Sequence, residues 1–309
     1  MLLLTLASTL LLANSVAAHG GVLAYTIEGK KYTGYGVKSL QDQDRFTTTK
    51  PGSSIQRAWT EIRPVRNPSS KDIACNKPGA PAKISASVAA GRSVTAHWNS
   101  KAEGNPWPHA GGPITVYMTE CKGDCSTWAD PSEGEWFKIF QAGLLSGTVG
   151  HGKWGTNEMM ANGFKVTTKI PPGLKPGNYL VRHETINLAR APAEFYPECA
   201  QLKVTGSGTE SPGKEFRFKL PGAYKSSGKL FLDPLTLACL AADSSFADSA
   251  IKYSMHDAPV TGSSKYVIPG PAVWKGSAGR SRVVAERTRG LYNFRSEEKN
   301  VTDTDVSTA

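Results

Sequence analysis

The chain has 309 residues, a formal net charge of +10, 31 glycines and 20 prolines. This length allows one large or two modest domains, and the glycine and proline content favours turns and short strands over long helices. The charge would suit an acidic partner, but the chain has no continuous Lys/Arg block interleaved with aromatic residues. We therefore expect a basic solvated surface and no nucleic-acid partner.

The amino-terminal segment has the pattern of a secretory signal peptide. Residues 1–12 are almost wholly apolar, and the small residues Val16, Ala17 and Ala18 follow. This pattern predicts cleavage after Ala18, which makes His19 the first residue of a secreted, extracellular protein. The apolar run is shorter than the ~20 residues of a spanning helix, and no later segment is long enough, so we expect no membrane association.

Short alternating segments dominate residues 19–219. Period-2 alternation with β-branched residues between Gly and Pro breaks predicts antiparallel strands, and regular strand spacing without a helical period predicts a β-sandwich. The fold class expected is therefore all-β, an immunoglobulin-like antiparallel β-sandwich with long loops. The predicted strands lie at 83–88, 93–98, 114–118, 164–170, 178–183 and 200–204.

Five cysteines predict two disulfide bridges and one leftover thiol in an oxidising compartment. Cys121 and Cys125 bracket a tight loop and could close on each other. Cys75 and Cys199 would then form a long-range bridge and leave Cys239 unpaired. Spacing alone leaves this pairing open.

Two later segments differ from the strand-rich part. Residues 229–265 have more helical propensity and carry Cys239, which indicates an insertion with a short helix. From residue 276 to 309 the chain is polar and poor in aromatics, which is typical of a disordered tail. The expected organisation is a signal peptide (1–18), one domain (19–275) that contains the insertion, and a disordered polar tail (276–309).

A histidine at a new amino terminus can chelate a metal. Its α-amine and an imidazole nitrogen bind one ion together, and a second imidazole completes a T-shaped set of three nitrogens that suits Cu(II). The reference pKa of an α-amine is near 8, so this group deprotonates readily to bind metal. His19 alone is weak evidence, since some residue must follow a cleavage site.

Nine short motifs in fixed order strengthen that interpretation. Together they closely resemble the fungal lytic polysaccharide monooxygenases of auxiliary activity family 9, formerly glycoside hydrolase family 61, over roughly residues 19–274. The motifs are HGGV at 19–22, DIACN at 72–76, HAGGPITVYMTEC at 109–121, WFKI at 136–139, WGTN at 154–157, IPPG at 170–173, PGNYLVRHE at 176–184, EFYPEC at 194–199 and IPGP at 268–271.

The resemblance implies a copper site and its ligands. His19 and His109 would be the two histidine ligands, and Tyr196 would lie at the axial position, as a metal ligand and a catalytic residue. The implied disulfide bridges are Cys75–Cys199 and Cys121–Cys125.

Two positions depart from the family pattern near that site. The family strand usually runs Arg-His-Glu-x-Ile-x-Leu-His, and here its last position is Ala189. The family usually has Gln two residues before the axial Tyr, where this chain has Glu194. Partners behind metal ligands typically change affinity or activity about 10–100-fold. We expect Arg190 to donate a hydrogen bond or to pair with Glu194, so Glu194 and Arg190 are further candidate catalytic residues.

The implied activity is copper-dependent oxidation of a β-1,4-linked polysaccharide, cellulose or a related glucan or xylan, at C1, C4 or both. One copper ion per protein, dioxygen or hydrogen peroxide as co-substrate and an external electron donor would be required. The partners would be crystalline or soluble polysaccharide and a reductant, and the protein would be a monomer. Aromatic residues that could stack on sugar rings are Tyr25, Tyr32, Tyr35 and Trp274, although core packing explains each of them equally well.

Two other functions compete with this one. A glycosidase needs two paired carboxylates, and nothing in the sequence singles out such a pair. A non-catalytic secreted protein that binds copper or the cell wall remains an alternative because of Ala189 and Glu194. Among the other histidines, His183 is expected to be buried and hydrogen-bonded in a structural role.

Overall fold

The computed structural model describes residues 19–34, 53–59, 62–100, 106–224, 251, 254–256 and 261–276. The expected signal peptide, Tyr35, Cys239, most of the expected insertion and nearly all of the expected tail lie outside the described residues. None of the helices in these ranges is both long and apolar enough to span a membrane.

Two β-sheets form the framework. One has four strands in the order β11-β6-β1-β2, and the other has five in the order β5-β13-β12-β7-β8. All pairings within them are antiparallel except β5 with β13, which is parallel. The strands are β1 (Gly20–Ile27), β2 (Lys30–Thr33), β3 (Ala58–Trp59), β4 (Pro78–Ala80), β5 (Ala86–Ala89), β6 (Ser93–Ser100), β7 (Ile114–Glu120), β8 (Phe137–Ala142), β9 (Leu144–Ser146), β10 (Lys153–Trp154), β11 (Lys165–Lys169), β12 (Gly177–Asn187) and β13 (Glu194–Thr205).

The all-β sandwich expected from the sequence is confirmed. A hydrophobic core lies between the two sheets and draws on β1, β6, β7, β11, β12 and β13. Two additional two-stranded sheets, β3-β4 and β9-β10, lie in the long connections. Among the elements that the sequence did not predict is the short helix α1 (Gly155–Ala161), which begins where the Asn157 side chain accepts a hydrogen bond from the Trp154 backbone N–H.

Burial explains which strands the sequence predicts well. β11 alternates exposed and buried residues along its whole length, because only one of its faces meets the core. Nine consecutive residues of β12, from Tyr179 to Asn187, are buried, because loops cover the second face of the five-stranded sheet. Alternation therefore predicts only part of β12 and β13.

The loop-covered face of the five-stranded sheet carries a sealed set of polar groups, which we call the outer polar cluster: Tyr117, Lys138, Arg182, Glu184 and Tyr224. Arg182 forms an ion pair with Glu184, and both side chains are fully buried. The Tyr224 hydroxyl donates to Glu184 Oε2 at 2.5 Å. Lys138 Nζ donates to the Pro269 carbonyl at 2.9 Å.

Two disulfide bridges are present, Cys75–Cys199 and Cys121–Cys125. They join the same pairs that the family resemblance implies. The first bridge ties β13 to the loop around residue 75, and the second closes the loop after β7. The resulting constraint on the unfolded chain is larger for the first, whose cysteines are 124 residues apart.

Candidate metal centre

Three ring side chains from distant parts of the chain meet at one end of the sandwich. His19 precedes β1, His109 lies in the loop before β7, and Tyr196 lies on β13. The ring centroids of His19 and His109 are 6.1 Å apart, and those of His109 and Tyr196 are 5.3 Å apart. The rings of His19 and Tyr196 are 6.4 Å apart. The structure therefore groups the three residues that the resemblance implies as ligands.

Two glycines place His19 at this point. A Cβ on Gly20 would lie 2.1 Å from the Asn99 carbonyl oxygen, and one on Gly21 would lie 2.8 Å from Glu198 Oε1. Any side chain at either position would push the start of β1 away from β6 and β13. The His-Gly-Gly sequence thus allows the strand to lie close enough for the His19 ring to reach the other two.

The loop before β7 holds His109 through a buried tryptophan and a threonine hydroxyl. Trp107 is fully buried, and its ring lies 5.3 Å from that of His109 and 4.9 Å from that of Tyr196. The Thr156 hydroxyl of α1 lies within hydrogen-bonding distance of the carbonyls of Ala110 and Gly112. These contacts fix the backbone directly after His109.

The Tyr196 hydroxyl lies between a histidine and a carboxylate. It is 2.9 Å from His109 Nε2 and donates to Glu194 Oε2 at 3.3 Å. Burial raises the pKa of Tyr196 well above its usual value, and the charge of Glu194 raises it further. The phenol therefore stays protonated at any physiological pH, which makes it a weak donor to a metal.

Glu194 is buried beside these rings and pairs with an arginine that the sequence analysis did not single out. Arg66 Nη2 lies 2.5 Å from Glu194 Oε1. Arg190, the partner expected from the sequence, is exposed, and the expectation that it pairs with Glu194 is wrong. The reason is geometric: residue 65 pairs with Phe195 of β13, which brings Arg66 against Glu194, whereas Arg190 lies in the turn between β12 and β13.

A second residue missed in the sequence is Asn187, at the end of β12. Its Nδ2 lies 2.8 Å from Glu194 Oε2 and 3.2 Å from His109 Nδ1. Asn187 and Glu194 are directly opposite each other across the β12–β13 pair. Strand pairing would have revealed this contact, but the strand was predicted to end at residue 183.

The donor set fits a copper ion better than other common metals. Two imidazoles and a protonated phenol would give two strong nitrogen donors and one weak oxygen donor, a set that suits Cu(II). Calcium and magnesium need several carboxylate or carbonyl oxygens. Within the described ranges, no group of three or more His, Cys, Asp or Glu side chains is close enough to hold a metal.

The structure corrects other expectations about side chains. Tyr25 is fully buried and Trp274 packs against Phe137 in the core, so neither stacks on a sugar at the surface. Tyr32, on β2, is half-buried at the edge of the four-stranded sheet. His183 is buried as expected, but neither ring nitrogen has a hydrogen-bond partner among the described residues, and burial lowers its pKa to about 3.

Comparison with known proteins gives consistent matches. Residues 19–235 match the family model described as Auxiliary Activity family 9 (formerly GH61). The chain is 42% identical over 276 residues to AA9 family lytic polysaccharide monooxygenase B of Heterobasidion irregulare, covering 88% of this chain and 98% of that protein. It is 37% identical over 282 residues to AA9 family lytic polysaccharide monooxygenase D of Thermothelomyces thermophilus, covering 89% and 95%.

Solved structures are also similar to this chain in fold and sequence. The crystal structure of HiLPMO9B has 40% sequence identity and a TM-score of 0.66, and the match covers 84% of this chain and 100% of that one. A cellulose-active polysaccharide monooxygenase from M. thermophila has 34% identity and a TM-score of 0.63, with 84% and 100% covered.

Proposed function

Because this chain belongs to Auxiliary Activity family 9 and is a lytic polysaccharide monooxygenase, we propose that it binds one copper ion through His19, His109 and Tyr196. The observation that carries this proposal is the convergence of these three rings at the start of β1. The family supports copper-dependent oxidative cleavage of polysaccharide in general. The ligands and the finer chemistry are our proposal.

His19 acts twice in this proposal, through its ring and through its α-amine. A free α-amine exists only if the chain is cut after Ala18, and the family match begins at the next residue. Gly20 and Gly21 keep the backbone after it pressed against the sheet, so the amine and the ring stay near His109. We propose that the protein is secreted and extracellular and acts as a monomer.

Each of the other groups has a separate task. His109 supplies the second imidazole, and its position depends on Trp107 behind it. The protonated Tyr196 phenol would be a weak oxygen donor to the ion. When bound, copper supplies one-electron chemistry with dioxygen or hydrogen peroxide and an external reductant.

The proposed reaction is hydroxylation at C1, C4 or both of a β-1,4-linked glucan or xylan, which breaks the glycosidic bond. One relative whose structure is solved is described as cellulose-active, which supports cellulose as the first substrate to test. We propose that Glu194 and Arg190 also contribute to turnover, Glu194 because it contacts Tyr196 and Arg190 only through its charge near the site.

The decisive experiment compares two amino termini. Protein that begins at His19 should bind one Cu(II) tightly, with an EPR spectrum typical of nitrogen ligands. Protein that keeps one extra residue before His19 should lose most of this affinity, because the amine is no longer part of the chelate. A matched control carries the extra residue at the carboxyl end. Equal copper affinity in all three proteins would contradict the proposed ligand set.

A second function, binding of copper or of the cell wall without turnover, is supported by Ala189 and by the Arg66–Glu194 pair. Together they make the surroundings of the rings different from the pattern that the family resemblance implies. A secreted copper-binding or cell-wall-binding protein without turnover would show the same copper affinity. Reductant-dependent release of oxidised oligosaccharides from cellulose or xylan distinguishes the two: its presence supports the enzyme, and its absence with intact copper binding supports the alternative.

A further inference from the structure

We infer that Asn187, held in place by Glu194 and Arg66, fixes both the orientation and the tautomer of His109 before any metal binds. This inference rests on the proposed function only where it concerns the metal. The tautomer itself is a property of the metal-free protein and can be measured without copper.

The orientation of the Asn187 amide is set by two partners. Its Oδ1 accepts a hydrogen bond from the Ala189 backbone N–H at 3.1 Å. Its Nδ2 donates to Glu194 Oε2 at 2.8 Å. An amide turned by half a rotation would place Oδ1 against the carboxylate and the NH₂ group against the backbone N–H, and both contacts would then repel. The observed orientation is therefore strongly preferred.

The second N–H of this amide faces His109. Nδ2 lies 3.2 Å from His109 Nδ1, so Nδ1 must accept and cannot carry a proton. The ring proton is then on Nε2, which lies 2.9 Å from the Tyr196 hydroxyl. That hydroxyl accepts from Nε2 and donates to Glu194. The four groups form a closed circuit in which every donor meets an acceptor.

Arg66 anchors the circuit from the surface. Its guanidinium pairs with Glu194 Oε1 and leaves Oε2 for Asn187 and Tyr196. The Arg66 side chain is 52% exposed and that of Glu194 is 1% exposed. The arginine therefore acts through Glu194, as a positioning residue that does not touch the rings.

This arrangement has a consequence for a metal at His109 Nε2. The metal would take the place of the Nε2 proton, and the proton of the neutral ring would then lie on Nδ1. Nδ1–H would face the Asn187 N–H, and two donors cannot share one hydrogen bond. Metal binding therefore requires the Asn187 amide to turn over, at the expense of its bonds to Glu194 and Ala189.

The first test uses long-range ¹H–¹⁵N correlation spectra of the metal-free protein that begins at His19. His109 should carry its proton on Nε2. Asn187→Ala should shift the signal towards the Nδ1–H form, and Arg66→Gln should shift it in the same direction by a smaller amount. Arg217→Gln is the matched control, because Arg217 pairs with Glu135 on the surface, and it should change nothing.

The Arg66 variant keeps the test decisive even if Asn187→Ala does not fold, since a half-exposed residue can be replaced without unfolding the chain. Finding the proton on Nδ1 in the unaltered protein would overturn the inference. An unchanged Nε2–H signal in both Asn187→Ala and Arg66→Gln would also overturn it.

The second test titrates Cu(I) anaerobically, because this ion is diamagnetic and leaves the spectra readable. The Asn187 side-chain amide signals should move in step with those of the His109 ring. Asn187→Ala should bind Cu(I) about fivefold more tightly, which corresponds to a net loss of one ordinary hydrogen bond that the variant avoids: two bonds of Asn187 break, and one new bond forms from Nδ1–H to Oδ1. Weaker binding, or amide signals that stay still while His109 responds, would contradict the required turn. Failure of the unaltered protein to bind copper would refute the proposed function and leave the tautomer result standing.

Discussion

Strand β12 supplies buried polar side chains to both faces of the five-stranded sheet, and the two faces use them differently. Arg182 and Glu184 point into the outer polar cluster. There they form a fully buried ion pair, and the Tyr224 hydroxyl donates a hydrogen bond to Glu184. Asn187, on the other face, reaches the ring of His109 at the edge of the sheet. The period-2 alternation of one strand thus separates a sealed cluster from a site that opens to ligands.

The difference lies in where the polar atoms point. In the outer polar cluster they point at each other and at backbone carbonyls, as Arg182 does towards Ile73 and Ala74. At the candidate metal centre, the rings of His19 and His109 converge on a common space. The first arrangement contributes to stability, and the second is able to bind a ligand. Substitutions in the two regions should therefore affect different measurements.

Glu184→Gln should have the largest effect. It leaves the charge of Arg182 buried without a counter-charge, and breaking a buried pair in this way costs about 3–5 kcal/mol. Urea unfolding should show this loss, while copper affinity of the folded protein stays unchanged. Glu135→Gln, which breaks a surface pair with Arg217, should cost below about 1 kcal/mol. Comparable losses in the two variants would contradict the distinction between the clusters.

His109→Ala should affect the opposite measurement. Residues behind metal ligands already change affinity about 10–100-fold, so removing a proposed ligand should weaken copper binding by more than about 100-fold. The unfolding free energy of the metal-free protein should change little, because His109 is only half-buried. His151→Ala, in an exposed loop between glycines, is the control for isothermal titration calorimetry. Unchanged copper affinity in His109→Ala would remove His109 from the ligand set.

Restoring the residues implied by the family resemblance, with Ala189→His and Glu194→Gln, should raise oxidative turnover about tenfold or more. Gln removes a negative charge beside Tyr196. Neither position is a proposed ligand, so copper affinity should change by no more than the roughly fivefold expected when Asn187 is released from its bonds. Product release from cellulose at saturating copper measures the effect. Arg190→Ala is the comparison variant: because Arg66 holds Glu194, it should leave the copper EPR spectrum unaltered. A double variant no faster than the parent would refute this role.

Lys138 should make the free energy of unfolding depend on pH. Burial lowers its pKa to about 7 from an ordinary 10.5, although Glu184 opposes the shift. Above pH 7 the folded form has released a proton that the unfolded form still binds, so the free energy of unfolding should rise with pH, by at most about 1.4 kcal/mol per unit. The rise ends near pH 10.5, the ordinary pKa that Lys138 has in the unfolded chain. Lys138→Met should flatten this slope in urea unfolding at pH 7, 8 and 9. A slope that persists in the variant would assign it to another group.

The sequence predicted the parts of this fold that obey simple alternation. The segment 93–98 became β6 (Ser93–Ser100) and 164–170 became β11, because each has one face towards the core. β13 was predicted only from residue 200, since Glu194 and Glu198 look like loop residues until their buried partners are known. A single sequence does not reveal that a second layer of loops covers that face.

A single sequence also leaves contacts at the candidate metal centre unpredicted. His19, His109 and Tyr196 belong to recognisable motifs, and the structure groups their rings. Arg66 belongs to none, and its partner Glu194 is 128 residues away. The sequence instead suggested Arg190, which is near Glu194 along the chain but exposed in space. Local proximity is a poor guide to ion pairs in a sheet, where the partner is chosen by strand pairing.

The place of β1 in its sheet has a consequence for biosynthesis. β1 is an inner strand, flanked by β6 and β2, and its glycines fit against β6 and β13. A ribosome makes the chain from the amino end at about 5–20 residues per second, so β1 emerges first and waits several seconds for its pairing partner β6. During this interval the segment around residue 19 is not yet paired with β6, so the proposed cleavage after Ala18 can take place before the sheet closes around it. The two glycines of this segment, which pair poorly on their own, help to keep it unpaired until the strands that enclose it arrive.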